Sequence, residues 1–151
     1  EAKIHTSKHH YALDSFLIQD QSDRSIMYRD LLSYIEHELS HALRDSQTAL
    51  EPLKGRISRQ VKHMPIQPNI SIQEVKDSNN HLLEIVAGDR PGLLSTIAQT
   101  FIANNIHLQT AKINTLGKRA EDAFLISGKN GAQLPASEVK ALQEALIKAV
   151  G

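Results

Sequence analysis

The chain repeats itself. Ala2-Lys3-Ile4-His5-Thr6 returns as Ala111-Lys112-Ile113-Asn114-Thr115, and Asp14-Ser15-Phe16-Leu17-Ile18 returns as Asp122-Ala123-Phe124-Leu125-Ile126. The two blocks stand one residue closer in the second copy, so a residue has been lost from the turn between them. In both places a polar gap follows, then an apolar-periodic helix. A strand, a turn, a strand and a helix in the same order twice means two copies of one structural unit, and a repeat of this kind governs the fold. A strand and a helix, His81 to Asn104, precede the second copy, and nothing precedes the first. The expectation is a piece of a longer protein, beginning inside a domain.

A chain of 151 residues forms one ordinary domain or two small ones. The repeat favours two, each with a limited core that gains from packing on its twin or on another chain. Residues 1–50 are predicted to be the C-terminal part of a first domain, 51–68 a linker marked by Pro52, Gly55, Pro65 and Pro68, and 69–151 a second domain. Lys+Arg 17 balances Asp+Glu 17, which argues against nucleic-acid binding, where a basic surplus is the rule. There is no cysteine, so no disulfide framework and no thiolate chemistry. No signal peptide or membrane-length apolar run appears, and a cytoplasmic location is expected.

Glu1–Thr6 and Ala12–Gln19 read as a β-hairpin with a polar tip, Ser7-Lys8-His9-His10, followed by a loop from Asp20 to Arg24. Leu31, Leu32, Ile35, Leu39, Ala42 and Leu43 then define a helix from about Ile26 to Arg44. Asn69–Val75 and His81–Ala87 read as strands. Gly88-Asp89-Arg90-Pro91-Gly92 breaks the second, and Leu93, Leu94, Ile97, Ala98, Phe101 and Ile102 form an amphipathic helix. His107–Leu116 and Ala120–Ser127 are the repeated hairpin. Lys129-Asn130-Gly131 is a turn, and Ala136–Val150 a last helix with Val139, Leu142, Leu146 and Ile147 inward. The second unit thus runs β-α-β-β-α, one strand short of a ferredoxin-like βαββαβ sandwich. Asn69–Val75 is expected to supply that strand by pairing antiparallel with His81–Ala87. The fold class is α+β, with helices on one face of an antiparallel sheet and Leu83, Ile85, Phe124 and Ile126 in the core.

Val86-Ala87-Gly88-Asp89-Arg90-Pro91-Gly92-Leu93-Leu94 resembles the ligand turn of ACT domains, small βαββαβ modules that bind amino acids and regulate the enzymes carrying them. The resemblance extends through Phe101, the repeated Ala-Lys-Ile strand and Glu121-Asp122-Ala123-Phe124. Two tandem copies, the first truncated, resemble more narrowly the C-terminal tail of the bifunctional uridylyltransferase/uridylyl-removing enzymes of bacterial nitrogen control. Arg59-Gln60-Val61-Lys62-His63-Met64-Pro65 fits the basic segment between the tail's two domains. The resemblance implies a glutamine-sensing regulatory module of an enzyme that modifies the PII signal protein. It also implies Mg²⁺ in the parent's catalytic domains, no cofactor in this region, and ligand contacts from Asp89, Arg90, Pro91, Gly92, Leu93 and Leu94. The family's usual Asn at the entry to the second strand is His107 here, a residue that can still donate or accept a hydrogen bond. Gln109, one alternation on, is the further candidate.

The turn has its own logic. Pro91 fixes φ and lacks an N–H, which suits a helix start. Gly92 admits close approach of a ligand. The helix beyond exposes unpaired amides to an α-carboxylate, and Asp89 could cap that helix or receive an α-amino group. A tight turn that binds nothing is the bland alternative.

His37-Glu38-Leu39-Ser40-His41 matches a zinc pattern, but both imidazoles lie about 200° around the helix from its apolar stripe, and no third ligand follows. Neither a nucleophile elbow nor a phosphate loop occurs, so no catalytic residue is expected. The competing functions are a ligand-free interaction domain and an RNA-binding βαββαβ domain. The latter needs aromatics on its strands, and only 4% of residues are aromatic. The edge left by the first hairpin is expected to recruit a neighbouring chain into a homo-oligomer.

Overall fold

The computed structural model describes residues 1–7, 11–17, 28–45 and 66–151. Lys8-His9-His10 of the hairpin tip, the loop from Asp20 to Arg24, and Glu51–Pro65 of the expected linker lie outside the described residues. Strands β1 (Ala2–Thr6) and β2 (Ala12–Phe16) are followed by helix α1 (Tyr28–Arg44). Then come β3 (Asn69–Glu74), β4 (His81–Gly88), α2 (Leu93–Ala103), β5 (His107–Ile113), β6 (Thr115–Leu116), β7 (Arg119–Ser127) and α3 (Ala136–Val150). A single 3₁₀ turn, Lys129–Gly131, joins the last two.

The strands form one antiparallel sheet in the order β2-β1-β5-β7-β4-β3, with β6 paired to β7. The fold is α+β and ferredoxin-like. β3 lies on β4, with Ile70 opposite Ile85 and Ile72 opposite Leu83, as the short turn between them predicts. Alternation along β4 and β7 sends Leu83, Ile85, Ala87, Ala120, Phe124 and Ile126 into the core. There they meet Leu93, Ile97 and Phe101 of α2 and Leu142, Leu146 and Val150 of α3. Phe101 and Phe124 pack edge to face, with ring centroids 5.3 Å apart.

Two local expectations change. His107–Leu116 is not one strand: β5 ends at Ile113, and β6 turns to pair with β7 after Asn114. Val150 replaces Ile147 on the inner face of α3, because Leu142, Leu146 and Val150 recur every fourth residue; Ile147 stands about 100° away and is 46% exposed. The hairpin β1–β2 extends the sheet of the second unit through β5.

The compact units are Glu1–Leu17 with Pro52–Gly151, and Ile18–Glu51 by itself. In the second of these, α1 leaves Leu32, Leu39 and Leu43 exposed. In the first, β1 pairs with β5, the strand that repeats it. Ala2 faces Ile113, Lys3 faces Lys112 and Ile4 faces Ala111. Like strands of the two copies thus meet about a local two-fold axis that passes between the two lysines.

α2 ends with Asn105 in the left-handed region (φ 54). The Ile106 amide donates to Phe101 O at 2.9 Å and the Asn105 amide to Ile102 O at 3.1 Å, a Schellman closure that turns the chain into β5. Among the described residues, no helix is long and apolar enough to cross a membrane.

Candidate functional site

β4 delivers the chain to the sheet's end at Gly88, opposite Arg119. The Asp89 amide donates to Lys118 O at 2.8 Å, which moors the turn to the tip of the β6–β7 hairpin. Pro91 holds Arg90 away from the helical region. Gly92 then adopts φ 81, a conformation that costs a side chain dearly and glycine little. The Leu93 amide is taken by Arg90 O at 3.2 Å and that of Thr96 by Gly92 O at 2.9 Å; the Thr96 hydroxyl also donates to Gly92 O at 2.9 Å. Among the described residues, no backbone acceptor pairs with the amides of Leu94 or Ser95. Two donors at the positive end of α2 are therefore available to an anion.

The residues expected at this turn divide by role. Asp89 is exposed. Leu93 is buried in the core, so its side chain lines no site. Arg90 reaches away to α3, donating from Nη2 to Ala149 O at 2.7 Å and from Nη1 to Gly151 O at 3.3 Å. Of Pro91–Ser95, Pro91 and Leu94 are exposed, Leu94 to 43%.

His107 and Gln109 are not beside this turn. His107 pairs with Ser127, whereas Gly88 pairs with Arg119, eight residues along β7 and about 26 Å away at a strand's rise. A bulge between Leu108 and Thr110 interrupts the register at Gln109, which breaks the alternation with His107. Both residues nonetheless line one hollow of about 770 Å³, together with His5, Thr6, Asn80 and Asn130. His5 Nδ1 lies 3.3 Å from Thr110 Oγ1 across the seam between the copies. The candidate ligand residues thus fall at two ends of the sheet.

The structure adds a residue to the first end. Asp122 is buried on the core face of β7. One carboxylate oxygen accepts from the Asn114 amide at 3.1 Å, and the other has no partner. Burial pushes its carboxyl above the ordinary 3.8, the Asn114 hydrogen bond pulls it back, and the charge of Asp89 pushes it up again. The motif at the turn does not point to Asp122. The alternation Ala120, Asp122, Phe124, Ile126 does, because it sets an acid among core residues. His37 and His41 are both exposed on α1. Among the described residues, no three His, Asp or Glu side chains gather as a metal would require.

This architecture defines a ferredoxin-like α+β module extended by half of a second copy. Forty-seven percent of residues are identical to the bifunctional uridylyltransferase/uridylyl-removing enzyme of Aromatoleum aromaticum over 97% of this chain and 17% of that protein. For the enzymes of that name from Chromobacterium violaceum and Nitrosospira multiformis the identities are 43% and 40%, over 99% and 94% of the chain. The chain belongs to the family of bifunctional uridylyltransferase/uridylyl-removing enzymes. It spans about 17% of the length of these relatives. No family profile matches it, and no solved structure matches it.

Proposed function

We propose that this chain is the ACT-type regulatory region of its parent enzyme and that it senses an amino acid, glutamine. The observation that carries this reading is the pair of unpaired amides, Leu94 and Ser95, behind a glycine at φ 81 at the mouth of α2. An α-carboxylate matches such a mouth in charge and size. Asp89, exposed beside it, has the charge to hold an ammonium group. Occupancy would shift the parent between adding and removing uridylyl groups on the PII protein, provided that glutamine binds one arrangement of the region more tightly than the other. That chemistry and its Mg²⁺ belong to the parent's catalytic domains.

Calorimetric titration with L-glutamine tests this. Saturable binding is expected, weakened about tenfold or more in Asp89→Ala through loss of a charged hydrogen bond. Absence of any heat or of any protection at Leu94 and Ser95 would overturn it. Among the described residues no strand pairs with the outer edge of β2, and the exposure of Leu13 and Phe16 on it, and of Leu17 just past it, favours a second reading, self-association. Light scattering decides that one, with a clean monomer against it.

A further inference from the structure

We propose that Arg90 is a positioning residue, a latch that couples the conformation of the Asp89–Gly92 turn to the last turn of α3. The proposal deepens the amino-acid-sensing reading and rests on it for the ligand, but not for the latch itself. Arg90 lies in the middle of the turn that leads into the amides of Leu94 and Ser95, and its guanidinium donates away from them. It grips the carbonyl oxygens of Ala149 and Gly151 at 2.7 and 3.3 Å. These are end carbonyls of a helix, which have no partners within it, and the negative end of its dipole is where a guanidinium is best placed. The planar fork holds two carbonyls at once, which an ammonium cannot do in the same geometry.

Both ends of the latch are stiff. On one side the backbone is fixed by Pro91, by Asp89 on Lys118 O, and by Thr96 doubly bonded to Gly92 O. On the other side, the end of α3 is closed by the Gly151 amide, which donates to Ile147 O at 3.0 Å. A Cβ on Gly151 would fall 2.9 Å from Ile147 O and 3.9 Å from the Cγ of Pro68, at the entry to β3. One turn earlier than Ile147, the Gln143 side-chain amide donates to Ile70 O at 2.8 Å. A change in the turn is therefore passed to the end of α3 and to the start of β3, the edge strand. A ligand seated on Leu94 and Ser95 has no need to touch Arg90 to be felt there.

Amide hydrogen exchange on the intact chain tests the latch. Without ligand, Arg90→Ala is expected to speed exchange about tenfold at Leu93 and Thr96 and at Val150 and Gly151, the loss of a charged hydrogen bond. Arg90→Lys should restore part of that protection. Ala149→Gly, which frays the end of α3, should speed exchange at Leu93 and Thr96 roughly fivefold with Arg90 present and leave them unchanged in the Arg90→Ala background. If Ala149→Gly does not reach the turn with Arg90 present, the latch is overturned. With glutamine, Val150 and Gly151 should change protection in the parent chain and not in Arg90→Ala. Glutamine bound at Leu94 and Ser95 with no response at α3 overturns the relay and leaves the sensing reading intact. No glutamine binding at all removes the sensing reading, and the ligand-free cycle still decides the latch.

Discussion

Phe16 and Phe124 hold the same place in the repeat, and both face the same side of the sheet. Phe124 is 4% exposed and packed edge to face on Phe101; Phe16 is 57% exposed. The same contrast holds for the acids two residues earlier, since Asp122 is buried and bonded to a backbone amide while Asp14 is exposed. What separates them is the layer above the strand. The second hairpin lies under α2 and α3. The first extends the sheet sideways through β5, and among the described residues of its compact unit no helix covers its inner face. Like sequence makes like strands, and packing decides what each strand is worth.

The largest test of this contrast is a pair of truncations. Phe124→Ala is expected to cost about 3–5 kcal/mol, the transfer loss plus a cavity facing Phe101. Phe16→Ala is expected to stay within about 0.5 kcal/mol, as an exposed side chain should. Urea denaturation of the two variants measures both. A large cost at Phe16 would break the contrast and show that its ring is covered in solution, which self-association along β2 would explain.

The acids sharpen it through pH. The folded-state pKa of Asp122 is raised above its ordinary 3.8, with burial the chief cause. The folded state therefore holds this proton more tightly than the unfolded chain does, and stability falls as pH rises from the ordinary value through the raised one. Asp122→Asn keeps an acceptor for the Asn114 amide and removes the buried charge. That variant should lose this part of the pH dependence and gain stability relative to the parent above the window. Asp14→Asn, at an exposed position, should leave stability within about 0.5 kcal/mol. Thermal melts from pH 3 to 8 read both. An unchanged slope in Asp122→Asn would mean that the carboxyl is solvated in the folded state.

Much of the second unit could be read from residues alone, because two signals agreed there. Period-2 alternation named Leu83, Ile85, Phe124 and Ile126, and the Asp-Arg-Pro-Gly break fixed where β4 gives way to α2. The role of β3 was also legible, since a short turn leaves it little choice but to pair with β4. The seam was not. Nothing local says that β1 will lie on β5, because both are edge strands until they meet, and edge pairing is set by what else competes for the edge. The division of the candidate site was hidden for a related reason. His107 follows the turn closely in sequence, but the intervening helix carries the chain back to the other end of the sheet. The partners of Arg90 were hidden too, because they are the backbone oxygens of Ala149 and Gly151, some sixty residues away.

The seam offers the smallest and most specific test. Because β1 and β5 repeat one another and run antiparallel, the axis between them sets Lys3 directly opposite Lys112 on the exposed face. Directly opposed like charges oppose pairing, and opposite charges support it, each by about 0.2–1 kcal/mol. Lys3 has partial relief from Glu1 at 3.6 Å, with both side chains well exposed, so the cost to the seam sits at the low end. Lys3→Glu should therefore tighten β1 against β5, by an amount that shrinks as salt rises and screening lengthens the odds against any surface pair. Exchange of the β1 amides at low and high salt measures it. Slower exchange in Lys3→Glu that vanishes at high salt fits strands paired through Lys3 and Lys112. A register slipped by one residue would turn these side chains to opposite faces, and the charge reversal would then leave β1 unmoved at every salt concentration.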